Sequence, residues 1–179
     1  MKYRHQGIWS ELLPSLSWTR SWHTKEDNEI LCKYAGMLEK DESILEIGSA
    51  EGQSTISLLL ASESYIQIVE PFVVPNLVNN IRSLNLDHRV VIIPTTAEKA
   101  AIANIGKTGL LFIDAVHTYD MVKHDLEKFS QSDPRFIVLH DTIKPEVWRA
   151  VDEFLKKGTY TLTEKKENIT VLSKVDLGE

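Results

Sequence analysis

Short apolar runs alternate with amphipathic stretches along most of this chain. The apolar runs have the length of buried strands and lie at residues 43–47, 65–69, 89–93, 109–113 and 136–139. Apolar residues at helical spacing predict helices at 25–38, 53–61, 75–84, 97–105 and 119–129. Thr24 and Asp27 have the spacing of a capping box at the start of the first helix. This alternation predicts right-handed crossovers and a parallel sheet that is covered on both faces.

The C-terminal part follows a different pattern. Pro145 opens a helix with an apolar stripe, and Gly158 ends it. Two strand-like runs, 159–163 and 169–173, then flank a polar turn, which predicts an antiparallel hairpin. The predicted fold class is therefore α/β, with five parallel strands followed by a C-terminal hairpin.

Length and composition restrict the class of protein. The 179 residues fit one domain, predicted at 25–179, after a segment at 1–24 that carries three of the four tryptophans. This segment is predicted either to pack against the sheet edge or in a homodimer contact, or to form a lid over a bound acceptor. The single cysteine, Cys32, excludes an intrachain disulfide.

The charge balance restricts the kind of partner that the protein can bind. There are 20 Lys and Arg against 26 Asp and Glu, a net charge of −6, which argues against a nucleic-acid partner because such binding needs a dense basic face. No apolar run approaches the roughly 18 residues that span a bilayer, so no membrane association is expected. A cytoplasmic, globular protein is predicted.

A strand, a small-residue turn and a helix meet in the stretch Glu46-Ile47-Gly48-Ser49-Ala50-Glu51-Gly52-Gln53-Ser54. The two glycines allow positive φ and close approach of a ligand. Free N–H groups in the first helical turn favour an anionic group such as a carboxylate or phosphate. A dinucleotide fingerprint would place glycine at Ala50 and Gln53, so a nicotinamide-dependent oxidoreductase is disfavoured.

Two further strand ends fit a nucleoside ligand. Glu70 ends the second strand, 18 positions after Gly52, where a carboxylate accepts hydrogen bonds from ribose hydroxyls in nucleotide-binding sheets. Thr96 and Ala97 follow the third strand. The glycine turn and the carboxylate together predict an adenosine ligand.

Acidic and histidine residues end the fourth and fifth strands. Asp114 and His117 follow the fourth strand, and His140 and Asp141 follow the fifth. If the strand order is 3-2-1-4-5, both strand ends face the same crevice as Gly48, and a divalent cation such as Mg²⁺ would compensate two nearby carboxylates. Without a metal, Asp114 would hold the ligand and Asp141 would cap a turn. Imidazole exchanges protons near neutral pH, so His117 is the candidate general base.

The glycine turn resembles the first motif of class I S-adenosylmethionine-dependent methyltransferases. The fourth and fifth strand ends, with the later Val147-x-Arg149-Ala150, resemble the macrocin-type O-methyltransferases and cephalosporin-hydroxylase-like proteins over residues 40–155. This resemblance implies a Rossmann-like sheet of order 3-2-1-4-5-7-6. It also implies that Thr96 and Ala97 line the adenine, and it implies Mg²⁺ at the positions of Asp114, His140 and Asp141. The chain departs from the metal-dependent members at His140, where they carry a carboxylate, and imidazole suits softer metals better than Mg²⁺.

These observations predict an S-adenosylmethionine-dependent O-methyltransferase that acts on a hydroxyl of a small molecule, such as a sugar or natural product. The alternative is a non-catalytic S-adenosylmethionine-binding or assembly module, since few residues lie outside the core to recognise an acceptor. The catalytic candidates are His117 and Asp114. The candidates for cofactor binding are Glu46, Gly48, Ser49, Ala50, Gly52, Ser54, Glu70, Thr96, Ala97 and Asp114. The candidate metal ligands are Asp114, Asp141 and His140.

Overall fold

The computed structural model describes residues 23–101 and 107–175 of the chain. The helices are α1 (Lys25–Ala35), α2 (Gln53–Ala61), α3 (Pro75–Ser83), α4 (Tyr119–Phe129) and α5 (Pro145–Leu155), with short 3₁₀ turns at Asp87–Arg89 and Ser130–Ser132. The strands are β1 (Glu42–Ile47), β2 (Ile66–Val69), β3 (Val90–Ile93), β4 (Lys107–Ile113), β5 (Phe136–His140), β6 (Tyr160–Lys165) and β7 (Ile169–Lys174).

One sheet contains these strands in the order β3-β2-β1-β4-β5-β7-β6. The first five are parallel, whereas β7 runs antiparallel to both β5 and β6. The predicted Rossmann-like sheet with a C-terminal antiparallel hairpin is therefore confirmed, including its strand order.

The parallel strands end in register. Ile93, Val69, Ile47, Ile113 and Leu139 are successive partners across the sheet. The residues that follow them consequently begin five loops at one level of the same sheet edge. This alignment gathers residues that are far apart in sequence, and ligands bind at this edge in open α/β sheets.

The two faces of the sheet bury separate cores. Phe112 and Val138 belong to a cluster with apolar residues of α1, α2 and α3. Their neighbours Leu111 and Ile137 belong to a cluster with residues of α4 and α5. Because side chains alternate along a strand, Asp114 and His140, two positions after Phe112 and Val138, continue on the α1 side.

One predicted helix is not confirmed. The sequence predicts a helix at 97–105, but residues 97–99 form a turn and 102–106 lie outside the described residues. Lys128 Nζ lies 2.6 Å from the carbonyl oxygen of Ala97 and 2.9 Å from that of Glu98. The side chain of Lys128 thus ties the turn at 97–99 to α4.

The remaining predicted elements agree with the structure to within a few residues, and the capping box of Thr24 and Asp27 is present at the start of α1. None of the described helices has the length and apolar composition that crossing a membrane requires. The tryptophans of segment 1–24 lie outside the described residues.

Candidate functional site

A cavity of about 720 Å³ opens at the carboxyl edge of the parallel strands. Its wall includes residues from the loops after all five of them: the glycine turn after β1, Glu70 to Phe72 after β2, Thr96 to Glu98 after β3, Asp114 to His117 after β4, and Asp141 after β5. Its volume is in the range of small-molecule and cofactor sites. The cavity therefore lies where the in-register strand ends bring these five loops together.

The glycine turn holds a backbone conformation that few residues adopt. Gly48 and Gly52 have φ values of +85° and +88°. A Cβ atom on Gly48 would lie 2.4 Å from the carbonyl oxygen of Asp114, and one on Gly52 would lie 2.7 Å from Leu77 Cδ1. Glycine at position 48 thus lets the end of β1 pack closely against the end of β4.

Glu46 anchors this turn from within the core. Its side chain is fully buried, and its carboxylate accepts hydrogen bonds from the hydroxyls of Ser54 and Thr55 in the first turn of α2. Burial raises the pKa of Glu46 to about 8, although the two hydroxyl hydrogen bonds oppose this shift. Glu46 therefore fixes α2 on β1 and does not lie on the cavity wall.

Glu70 organises the loops on the other side of the turn. Its Oε2 accepts hydrogen bonds from the backbone N–H groups of Ser49 (3.0 Å) and Ala50 (3.1 Å), and its Oε1 accepts one from Phe72 N–H (2.9 Å). The carboxylate thus ties the end of β2 to the glycine turn while remaining on the cavity wall.

Three histidines surround Asp114. His23 Nε2 lies 2.8 Å from Asp114 Oδ2, while His117 Nε2 and His140 Nδ1 lie 3.1 Å and 3.2 Å from Oδ1. On its other side, His140 Nε2 lies 3.3 Å from Asp27 Oδ2 and 2.8 Å from Asn168 Nδ2. Residues from before α1, from the loop after β4 and from β5 therefore meet at the carboxylate of Asp114.

These contacts decide which groups are charged. Burial would raise the pKa of Asp114, but hydrogen bonds from His117, His140 and His23 hold it well below its usual range. Burial would lower the pKa of His140, but the carboxylates of Asp114 and Asp27 raise it to about 9. Asp27 is likewise held ionised against burial, with its pKa lowered by His140 and Thr24. The cluster is a network of compensated charges.

His117 stands where this network meets the open cavity. Its Nε2 lies within 3.2 Å of both Asp114 Oδ1 and Asp141 Oδ2, and its Nδ1 lies 3.1 Å from Lys144 Nζ. Lys144 also donates to Asp141 Oδ2 at 2.6 Å. Two carboxylate acceptors at Nε2 favour the tautomer that carries its proton there and leaves a lone pair on Nδ1.

The structure brings most of the predicted site residues to one cavity. Of the ten candidates for cofactor binding, all except Glu46 and Gly52 line it, as do both catalytic candidates and all three candidate metal ligands. Strand alternation predicts that His140 and Asp141 face opposite ways, yet both reach the site. The reason is that Asp141 has a φ of +56°, which redirects the chain directly after β5.

Three residues of the site are absent from the sequence-based set. His23 and Asp27 come from the start of α1, and Lys144 comes from the loop before α5. Asp27 carries a sequence signal only as part of the capping box, and His23 carries none. They contact partners 91 and 113 residues away along the chain.

The donor atoms do not fit Mg²⁺. The three predicted ligands fall into two overlapping groups, His23 with Asp114 and His140, and Asp114 with His117 and Asp141. The first group contains two imidazoles and the second contains one, whereas Mg²⁺ prefers oxygen ligands in near-ideal octahedral geometry. We therefore assign no step of the chemistry to Mg²⁺.

The chain resembles solved structures over most of its length. A protein of Staphylococcus aureus described as a caffeoyl-CoA O-methyltransferase has 16% identity and a TM-score of 0.68, over 87% of this chain and 86% of that one. A Podospora anserina methyltransferase bound to S-adenosylhomocysteine has 16% identity and a TM-score of 0.63, over 86% and 80%. At such identities the likeness concerns the fold. No curated protein sequence matches the chain.

A family model supplies the evidence that these distant structures do not. The model of a methyltransferase domain matches residues 45–142, which is more than half of the chain. The matched region begins within β1, just before the glycine turn, and ends just after Asp141, so it contains the end of β1 and all of β2, β3, β4 and β5. The chain therefore belongs to this methyltransferase-domain family and has the fold of the class I S-adenosylmethionine-dependent methyltransferases.

Proposed function

We propose that the protein transfers a methyl group from S-adenosylmethionine to a hydroxyl of a small molecule, with His117 as the general base. The observation that carries this proposal is that His117 and the glycine turn line one cavity, with His117 held by two carboxylates. The cavity volume is also suited to a cofactor together with a small acceptor.

The wall of the cavity supports the choice of cofactor. Ser49 Oγ and Asp125 Oδ2 are buried atoms of lining residues, and neither has a hydrogen-bond partner among the described residues. Buried polar atoms are nearly always paired in native proteins, so such atoms are candidates for ligand contacts. Asp125 lines the cavity together with Thr96, Ala97 and Glu98 of the loop after β3. The two unpaired atoms therefore support a polar ligand such as an adenosine at this part of the wall.

When bound, S-adenosylmethionine supplies an electrophilic methyl group on a sulfonium, so its transfer forms an O–C bond, breaks a C–S bond and leaves S-adenosylhomocysteine. His117 Nδ1 takes the hydroxyl proton of the acceptor. Asp114 and Asp141 hold the ring and stabilise the imidazolium that results. Lys144 must leave Nδ1 for this step, and its half-exposed side chain can do so while it keeps its contact with Asp141.

The test measures binding and turnover separately. Transfer of labelled methyl groups is followed over a panel of sugar, phenolic and aliphatic hydroxyl compounds, and S-adenosylhomocysteine affinity is measured by calorimetry. We expect His117→Asn to lower turnover by about 10² to 10⁴-fold with little change in affinity. His88→Asn, which removes an exposed imidazole outside the cavity, is the matched control.

Loss of affinity and turnover together in His117→Asn would contradict the assigned role. Binding of S-adenosylhomocysteine without transfer to any compound of the panel would instead favour the non-catalytic binding module. Tighter binding of NAD than of S-adenosylhomocysteine would reject both.

A further inference from the structure

We propose that Lys144 is a catalytic residue that stabilises the negative charge on the acceptor oxygen while His117 takes the hydroxyl proton. This inference rests on the proposed function and names a further group that the transfer uses. Lys144 lies directly before α5 and lines the same cavity as His117. Among the described residues, no other lysine or arginine lies on the wall of this cavity.

The geometry places Lys144 next to the atom that receives the proton. Lys144 Nζ lies 3.1 Å from His117 Nδ1. A hydroxyl oxygen that donates its hydrogen to Nδ1 can also accept a hydrogen bond from Nζ. With both hydrogen bonds at about 2.8 Å and a tetrahedral angle at the oxygen, the two nitrogens lie about 4.6 Å apart. Nζ therefore has to move by only about 1.5 Å to admit the acceptor.

Asp141 keeps the ammonium group close to the acceptor during this movement. Its Oδ2 accepts a hydrogen bond from Lys144 Nζ at 2.6 Å and lies 3.2 Å from His117 Nε2, so one carboxylate holds both side chains. The Lys144 side chain is half-exposed and can rotate about this contact. Since an ammonium group has three N–H donors, Nζ can contact Asp141 and the acceptor oxygen at once.

The reaction needs a positive charge at this position. Loss of the proton to His117 Nδ1 places negative charge on the oxygen that attacks the methyl group, and donors fixed towards such an oxygen are usually the largest single contribution to catalysis. The donor atoms around Asp114 do not suit Mg²⁺, so this charge has to be met by a group of the chain. Lys144 meets it and keeps its own protons throughout the transfer.

The test compares the unmodified chain with Lys144→Gln and Lys144→Arg. Lys156→Gln is the matched control, because Lys156 forms a similar ion pair with Asp152 at 2.7 Å and lies outside the cavity. Methyl transfer is measured over a series of phenols and aliphatic alcohols whose hydroxyl groups differ in acidity. A second measurement needs no turnover: 4-nitrophenol, whose ionised form absorbs visible light, is titrated with pH in the complex with S-adenosylhomocysteine.

We expect Lys144→Gln to lower kcat by about 10² to 10³-fold, the usual loss when one donor to a developing oxyanion is removed, with unchanged affinity for S-adenosylhomocysteine. The loss should be larger for aliphatic alcohols than for acidic phenols, which need less stabilisation of their ionised form. Lys144→Arg should recover part of the rate, because it keeps the charge. Bound 4-nitrophenol should ionise at a higher pH in Lys144→Gln than in the unmodified protein or in Lys156→Gln.

Three results would overturn the inference: an unchanged kcat in Lys144→Gln, an equal loss for every acceptor whatever its acidity, or an unchanged ionisation of bound 4-nitrophenol. If His117→Asn still lowers turnover in any of these cases, the proposed function stands and only the role of Lys144 fails. Absence of methyl transfer by the unmodified protein would reject the proposed function, and the role of Lys144 with it.

Discussion

Three glycines with similar positive φ values allow the cost of positive φ and steric conflict to be compared. Gly48, Gly52 and Gly158 have φ values of +85°, +88° and +77°. A Cβ on Gly158 would meet nothing within 4 Å, one on Gly52 would meet the end of the Leu77 side chain, and one on Gly48 would meet the backbone carbonyl of Asp114. Alanine at each position therefore combines a positive φ with a different steric contact.

The expected losses of unfolding free energy follow from these contacts. Gly158→Ala should cost about 1 kcal/mol, because only the left-handed conformation opposes it. Gly52→Ala should cost about 2 to 3 kcal/mol, since the Leu77 methyl group at 2.7 Å can move aside by changing rotamer. Gly48→Ala should cost about 4 kcal/mol or more, because the carbonyl at 2.4 Å belongs to the end of β4 and the strand must move.

Urea unfolding of the three variants, with a common m-value, measures these differences. S-adenosylhomocysteine affinity should fall most in Gly48→Ala, since displacement of Asp114 also disturbs the histidine cluster, and should be unchanged in Gly158→Ala. Equal losses of stability in all three variants would refute the reasoning, because they would show that φ alone sets the cost.

Two predictions concern the carboxylates beside the glycine turn. The pKa of Glu46 lies at about 8 in the folded protein and near its ordinary value of 4.5 in the unfolded chain, so its contribution to stability is fully present below pH 4.5 and is lost as the pH rises towards 8. As the pH rises from 5 to 8, the free energy of unfolding, measured with urea, should fall by about 3 kcal/mol less in Glu46→Gln than in the unmodified protein. Parallel profiles of the two proteins against pH would contradict a protonated Glu46. Glu70→Ala should weaken S-adenosylhomocysteine binding by about 10 to 100-fold, because the backbone N–H groups of Ser49 and Ala50 lose the carboxylate that holds the glycine turn in place. An unchanged affinity by calorimetry would show that the turn does not need this support.

Local pattern was sufficient to predict the strands and their directions, whereas their order in the sheet was implied by the family resemblance. Each strand before the hairpin is a short apolar run, and each run is followed by a turn residue or a polar residue that ends it. Because parallel strands require crossovers, the alternation predicts their relative direction as well. Local pattern was insufficient at residues 97–99, which form a turn whose carbonyl groups accept hydrogen bonds from Lys128 of a later helix.

The site was predictable only in part, because the strands of a sheet that is buried on both sides carry no polar face that would orient them. Apolar residues occupy consecutive positions in β4 and β5, so the sequence does not reveal which face of each strand lies towards which helices. The register supplies the answer: Ile113 pairs with Leu139, which sets Asp114 beside His140. His23 was not predictable by any such rule, because its contact with Asp114 depends on how the chain before α1 packs over the end of the sheet.

The charge network explains why the effects of these residues should not be additive. Asp114 is held ionised by three histidines, and His140 is held between Asp114 and Asp27. Removal of Asp27 alone therefore leaves the buried His140 without one of its two carboxylate partners. Removal of both Asp27 and His140 removes both charges of this pair together. Since an unpaired buried charge costs more than the pair contributes, the double variant Asp27→Asn, His140→Asn should be more stable than the sum of the two single losses implies. A double-mutant cycle by urea unfolding measures this coupling energy, and a value near zero would mean that the two side chains act independently.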